Sequence, residues 1–194
     1  MDEVARIRNH IGKSCRERLL EDRIVLLDGP ITEEAVNEIV CRMLYLQSED
    51  RNAGIHFLVD SPGGWVVSGL ALVDTIEIVN LTTPVLTCCY GHAGGMAALA
   101  VAHGTKSHRA VVRGATLSLF LPDELELPTS DEQAWLRTVQ TIADSVARDT
   151  GNSAQQVHRD LQAGHTFDAD TAQAYGLVDA VVDDLPVELP WAAE

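Results

Sequence analysis

A chain of 194 residues, 46% hydrophobic and 22% charged, has the size and balance of one globular domain with a single core. Its net charge of −15 argues against nucleic acid as a partner, because phosphates call for lysine and arginine. No apolar run approaches the ~20 residues of a membrane helix, and the opening Met1-Asp2-Glu3-Val4-Ala5-Arg6 lacks the apolar core of a signal peptide, so the expected setting is the cytoplasm, away from membranes.

The first 23 residues carry a basic group, Arg6, Arg8, Lys13, Arg16, Arg18 and Arg23. From Phe167 onward there are seven acids and no lysine or arginine. Strand and helix signals alternate from Ile24. Ile24-Val25-Leu26-Leu27 reads as a buried strand closed by Asp28-Gly29-Pro30. A helix follows, N-capped by Thr32, with Val36, Ile39, Val40, Met43 and Leu44 on one stripe. Residues 55–59 read as a strand that turns through Asp60-Ser61-Pro62-Gly63-Gly64 into an apolar helix, 65–79. Residues 85–90 read as a third strand, and Gly91-His92-Ala93-Gly94-Gly95 leads into a helix over 96–102. Short strands are expected at 110–112 and 116–121. A long amphipathic helix, 131–150, places Trp135, Val139, Ile142 and Val146 on one face and stops at Gly151. A short helix over 153–161, a last helix capped by Asp168 and ended by Gly176, and a strand over 177–182 complete the pattern. No repeat, linker or low-complexity tract divides the chain. It reads as a single domain, 1–194, with a core at about 18–182, a short N-terminal segment at 1–17 and an acidic tail at 183–194.

Repeated strand–turn–helix units predict an α/β fold, a mostly parallel sheet flanked by helices. Sites in such sheets lie beyond the carboxyl ends of the strands, where the loops at 61–64 and 91–95 fall. Each loop is glycine-rich and opens a helix, so each can aim free backbone N–H groups at a negative oxygen. Two converging amides would make an oxyanion hole. The same glycines equally serve a tight strand-to-helix turn, and the loops alone do not choose between these roles.

Cys15, Cys41, Cys88 and Cys89 contain no Cys-x-x-Cys pair, so neither zinc nor another cofactor is expected. All four read as small core residues of a reducing compartment, with Cys88 and Cys89 on opposite faces of a strand. A catalytic thiol there is the less favoured alternative.

Four stretches together carry a resemblance. They are Arg23-Ile24-Val25-Leu26-Leu27-Asp28-Gly29-Pro30-Ile31, the helix from Ile39-Val40 through Met43-Leu44-Tyr45-Leu46 to Glu49-Asp50, the motif Asp60-Ser61-Pro62-Gly63-Gly64 with Gly69-Leu70-Ala71 and Asp74-Thr75, and Ala172 with Ala174-Tyr175-Gly176-Leu177-Val178-Asp179. In this order and spacing they resemble the ClpP family, the proteolytic subunit of ATP-dependent Clp proteases, within the ClpP/crotonase superfamily. The resemblance implies that superfamily's repeated β-β-α units.

The family works through a Ser-His-Asp triad, its serine in a segment of the form Gly-x-Ala-x-Ser-Met. Here the segment reads Gly91-His92-Ala93-Gly94-Gly95-Met96, which puts Gly95 at the nucleophile position. The family's histidine precedes a Gln-Pro pair, and the matching offset lands on Phe120, before Leu121-Pro122. The aspartate position falls on His165, with Gly164 as the neighbouring candidate. Glycine has no oxygen with which to form an acyl-enzyme and phenylalanine no nitrogen to take a proton. The oxyanion amides of Gly64 and Met96 need no side chain and are expected to remain. Ser61 reads as a turn former. Ser118 and His92 lie near the site in sequence without evident partners.

The family's glycine-rich ring-joining strand is replaced by the acidic Asp123-Glu124-Leu125-Glu126-Leu127-Pro128, where like charges would oppose ring stacking. Its ATPase-docking hairpin has no counterpart in residues 1–15, so the resemblance does not carry docking over. The expected function is a catalytically inactive ClpP-like subunit that self-associates into a heptameric ring by resemblance, with itself or with an active ClpP paralogue. The alternatives are a crotonase-like acyl-CoA-handling enzyme and a serine peptidase with relocated catalytic groups.

Overall fold

The computed structural model describes residues 14–121 and 132–186. Expectations for the N-terminal residues 1–13, the acidic segment at 123–128 and the tail beyond 186 lie outside the described residues.

The chain opens with a short helix, α1 (Cys15–Glu21), capped by a reciprocal pair in which Ser14 accepts from Glu17 N–H and the Glu17 carboxylate accepts from Ser14 N–H. The sequence reading missed this helix, because its two leucines, Leu19 and Leu20, are adjacent and set no helical period. Four parallel neighbours then build the sheet: β1 (Ile24–Asp28), β2 (Ile55–Ser61), β3 (Val85–Gly94) and β4 (Arg109–Val112). A last strand, β7 (Ala180–Val182), joins β4, also in parallel. The expected strand over 177–182 is therefore shorter, since Leu177 and Val178 are buried in the turn that precedes it.

Alternation along the strands divides the apolar residues between two faces. Val25, Leu27, Phe57, Val59, Cys89 and Val111 enter the main core. That face is covered by α2 (Glu33–Glu49), α3 (Val66–Asn80) and α4 (Met96–Ala102), whose buried residues share the same cluster. Ile24, Leu58, Cys88 and Ala110 form a smaller cluster on the other face with Leu19 of α1. Every residue of α4 is buried, which its run of alanines permits at close range. Cys88 and Cys89 thus occupy opposite faces as expected. Cys15 and Cys41 correct the reading of all four cysteines as core residues: both are exposed, on the outer sides of α1 and α2.

Arg23 has a left-handed backbone, φ 60, and its side chain closes the end of α2. Its guanidinium donates to the carbonyls of Leu46, Asp50, Ala53 and Gly54 at 2.8–3.0 Å, satisfying acceptors that a helix C-terminus leaves open. Beyond β4, β5 (Thr116–Leu119) pairs with the distal part of β3 and, in antiparallel register, with β6 (His165–Asp168). The long helix α5 (Glu132–Thr150) and α6 (Ala154–Ala163) lie between them in sequence, and α7 (Ala169–Tyr175) follows β6 with Asp168 as its cap. Val139, Ile142 and Val146 of α5 are buried, and Trp135 packs half-buried on the core. No helix among the described residues is long and apolar enough to cross a membrane.

Candidate functional site

β3 is the element that aims the site. Thr87, Cys88 and Cys89 pair with β4, whereas His92, Ala93 and Gly94 pair with β5. The strand therefore changes partners in the segment predicted as a loop, and Gly91 to Gly94 prove to be strand. At the change of partners the Asp60 carboxylate accepts the His92 N–H at 2.9 Å.

The loop after β2 is pinned from both sides. Ser61 is buried, and its hydroxyl accepts the Gly63 N–H at 3.1 Å, the turn-forming role expected of it. Ile31 N–H donates to Gly63 O at 2.8 Å, and Trp65 N–H donates to Ile31 O at 3.1 Å. This loop then meets the end of β3 backbone to backbone. A Cβ on Gly63 would lie 2.5 Å from Gly94 O, and one on Gly94 would lie 2.5 Å from Pro62 O. No side chain fits at either position. The glycines serve loop contact as well as turning.

Gly95 sits at the strand-to-helix corner with φ 49 and ψ −118 and donates its N–H to Ser118 O at 2.9 Å. This sharp, positive-φ corner is the geometry that presents a nucleophile in strand–turn–helix hydrolases. A Cβ built on Gly95 would meet Phe120 Cε2 and Phe120 O at 3.2 Å, and Cζ at 3.4 Å. The structure therefore brings Gly95 and Phe120, 25 residues apart in sequence, into direct apposition. His165 opens β6, opposite Leu119 on the strand that leads to Phe120. Its ring packs at a tilt of 39° against Phe167, with centroids 4.3 Å apart. Gly164 is the left-handed residue that ends α6, φ 68, so of the two neighbouring candidates His165 is the one on the strand.

Gly64 and Met96 each present a backbone N–H with no acceptor among the described residues. The helices that these loops open, α3 and α4, have no side-chain cap at Trp65 or Gly95. Two unspent helix N-termini thus flank the corner.

The remaining candidates are occupied. His92 Nδ1 lies 2.9 Å from Thr116 Oγ1. Ser118 Oγ lies 2.9 Å from Thr166 Oγ1. Burial pushes the Cys88 thiol up to about 11 and the Cys89 thiol up to about 12, so neither supplies a thiolate near neutrality. A maleimide should accordingly label Cys15 and Cys41 within minutes, and Cys88 and Cys89 only after denaturant is added. Intact-mass analysis counts the adducts, and a third adduct on the native chain would refute the burial argument.

The sequence model of the Clp protease family matches residues 8–184. The chain belongs to the Clp protease family. The mostly parallel sheet flanked by helices is the ClpP-like fold that the resemblance implies. In this Clp protease family member, the sequence reading located the corner but not what fills it, since apposition of the Phe120 ring is a tertiary contact. It also missed a polar cluster at the far end of α4, where His103 meets Ser145 and Asp149 of α5. The i, i+4 spacing of Ser145 and Asp149 was legible; their meeting with His103 was not.

Proposed function

We propose that this chain is a non-catalytic Clp-type subunit that enters a ring, with itself or with an active paralogue, in a structural or regulatory role. One observation carries the reading. The corner that would present the nucleophile is glycine, and the space a side chain would enter is bounded by the ring of Phe120. Gly95, Phe120 and His165 stand at the three triad positions, and none has the chemistry of the family residue it replaces. The amides of Gly64 and Met96 are the surviving oxyanion donors.

Ring formation is compatible with the apolar side chains left at the surface. Leu44 and Tyr45 of α2, Val67 and Ile78 of α3, Leu81 and Leu136 are all exposed, and a subunit contact would cover those that fall within it. We assign α5 a part in contacts between subunits or rings.

The free Gly64 and Met96 amides also support a second reading, in which the corner binds an acyl oxygen as crotonase relatives do. Calorimetric titration with acyl-CoA tests it, and binding that survives Gly95→Ser would place the ligand elsewhere. The leading reading is tested by fluorogenic-peptide hydrolysis and native mass spectrometry of the purified chain. The expected result is no peptide cleavage above background and a homo-oligomer at micromolar concentration, most simply a heptamer. A monodisperse monomer rejects the ring.

A further inference from the structure

α4 carries Gly95 at its N-terminal end and His103 at the other, separated by about 12 Å of helix. His103 is almost wholly buried, with its Nδ1 2.6 Å from Asp149 Oδ2 and its Nε2 3.0 Å from Ser145 Oγ. The Asp149 contact is short but falls outside aligned hydrogen-bond geometry, and among the described residues neither Nδ1 nor Oδ2 has a hydrogen-bond partner. Each is therefore the nearest available group to the other among those residues, and catalytic hydrogen bonds are often poorly aligned before substrate binds.

The donors around the imidazole settle its tautomer. Arg148 Nη2 lies 3.4 Å from Nε2 and 3.3 Å from Ser145 Oγ, and a guanidinium only donates. Nε2 is then the acceptor and Nδ1–H faces the carboxylate. The Ser145 hydroxyl donates to Nε2 while its oxygen accepts from Arg148. This is the order of a serine–histidine–carboxylate triad, which is recognised by geometry and role, not by sequence position.

Ser145 opens onto a groove of about 300 Å³ between α3, α4 and α5. Leu70, Val73, Leu99 and Ile142 line it together with the acids Asp74, Glu77 and Asp144. That volume suits a small ligand, the apolar residues suit a short acyl chain, and the three acids disfavour anions.

We propose that, apart from the Gly95 corner and its lost peptidase chemistry, Ser145, His103 and Asp149 form a nucleophilic site that hydrolyses esters of short apolar acids with neutral or cationic alcohols. Ser145 Oγ attacks the ester carbonyl carbon and its proton passes to His103 Nε2. The charge gathering on the carbonyl oxygen faces the Arg148 guanidinium. The bond to the alcohol breaks and the alcohol leaves with the Nε2 proton. Water then gives a proton to Nε2 and its oxygen attacks the Ser145 ester. The acid departs and Ser145 recovers the proton. The sum is ester plus water to acid plus alcohol.

The backbone explains why peptides are not substrates here. The Gly104 N–H is held by Val101 O and the Thr105 N–H by Val85 O, so the paired amides of an oxyanion hole are missing from these two positions. The Arg148 guanidinium, which is shared with Glu77 at 3.7 Å and Asp149 at 3.9 Å, is a weaker oxyanion donor than a pair of amides and limits the site to activated carbonyls such as esters. This site stands independently of the reading of Gly95 and Phe120.

The test uses the full chain with a fluorophosphonate probe and p-nitrophenyl butyrate. The expected result is one adduct, mapped to Ser145. Ser145→Ala, shown to be folded by its melting curve, should lose the adduct and lower hydrolysis by about 10²-fold or more. Asp149→Asn should lower it by a similar factor through the wrong tautomer. A folded wild-type chain without an adduct at Ser145, or Ser145→Ala hydrolysing butyrate at the wild-type rate, overturns the proposal.

Discussion

Gly95→Ser alone should leave peptide hydrolysis at background, and only the combination with Phe120→His and His165→Asp should raise it substantially. A serine hydroxyl is a weak nucleophile without a base beside it, and loss of the serine or histidine of a triad costs on the order of 10⁶ in turnover. Phe120→His places an imidazole where the ring now lies against the Gly95 corner. The double variant still lacks a carboxylate to fix the tautomer, a contribution of ~10⁴ in trypsin-like enzymes. His165→Asp supplies one from β6, opposite Leu119. The triple variant should therefore be the best of the series by orders of magnitude.

Stability should follow a different order. Serine at φ 49 is strained, at about 1–3 kcal/mol, and its Cβ would press on Phe120 at 3.2 Å. Gly95→Ser alone should lower Tm by about 2–10 °C, and Phe120→His should recover part of that by removing the crowding. Peptide assays read alongside thermal melts separate failure to fold from failure to catalyse. Robust cleavage by purified wild-type protein, free of host protease, would sink the claim of inactivity.

How far the sequence disclosed this arrangement depended on whether each signal was local. Thr32 was legible as a cap, and its hydroxyl accepts the Ala35 N–H at 3.2 Å. Asp168 was legible for the same reason and accepts the Thr171 N–H at 2.8 Å. Gly151 and Gly176 end their helices at φ 81 and φ 91, as their positions implied. β6 was not legible. Of His165, Thr166, Phe167 and Asp168 only Phe167 is buried, so no alternation marks the segment, and pairing with β5 makes it a strand. The extension of β3 through Gly91 to Gly94 was hidden for a related reason. Glycines read as a turn, and it takes β5 alongside to hold them extended. At the site, the positions of Gly95 and Phe120 came from the resemblance, but that the aromatic ring bounds the corner came from packing alone. Ser145 and His103 lie 42 residues apart and share no motif, so only the crossing of α4 and α5 joins them.

Replacing Arg109 should destabilise the chain more than any single change at the Gly95 corner. Its side chain is 3% exposed, yet every direction it faces holds an acceptor. Nη2 and Nε meet the two Asp179 oxygens at 2.6 and 2.9 Å, and Nη1 meets Ala102 O and Asp149 O at 3.0 and 3.1 Å. One guanidinium thus ties β4 to the end of α4, the end of α5 and the turn before β7. Arg109→Ala strips the guanidinium from a partly buried carboxylate, which keeps only backbone donors such as the residue 109 N–H, and removes a donor from the carbonyls of Ala102 and Asp149. Breaking a buried pair from one side costs about 3–5 kcal/mol, a fall in Tm of about 10 °C or more at this chain length.

The pH dependence follows from the other partner. Burial pushes the Asp179 carboxyl up, but the hydrogen bonds and charge of Arg109 outweigh that and hold it below the usual carboxylate range. A folded-state value below the unfolded one, ~3.9, means stability that is fully present above about pH 4 and lost as pH falls through the folded value. Asp179→Asn removes this contribution. The stability gap between wild type and Asp179→Asn, read from urea melts between pH 3 and pH 7, should be widest near neutrality and close toward pH 3. A gap that stays constant across that range would show that Asp179 contributes through shape and hydrogen bonding alone, with its charge idle.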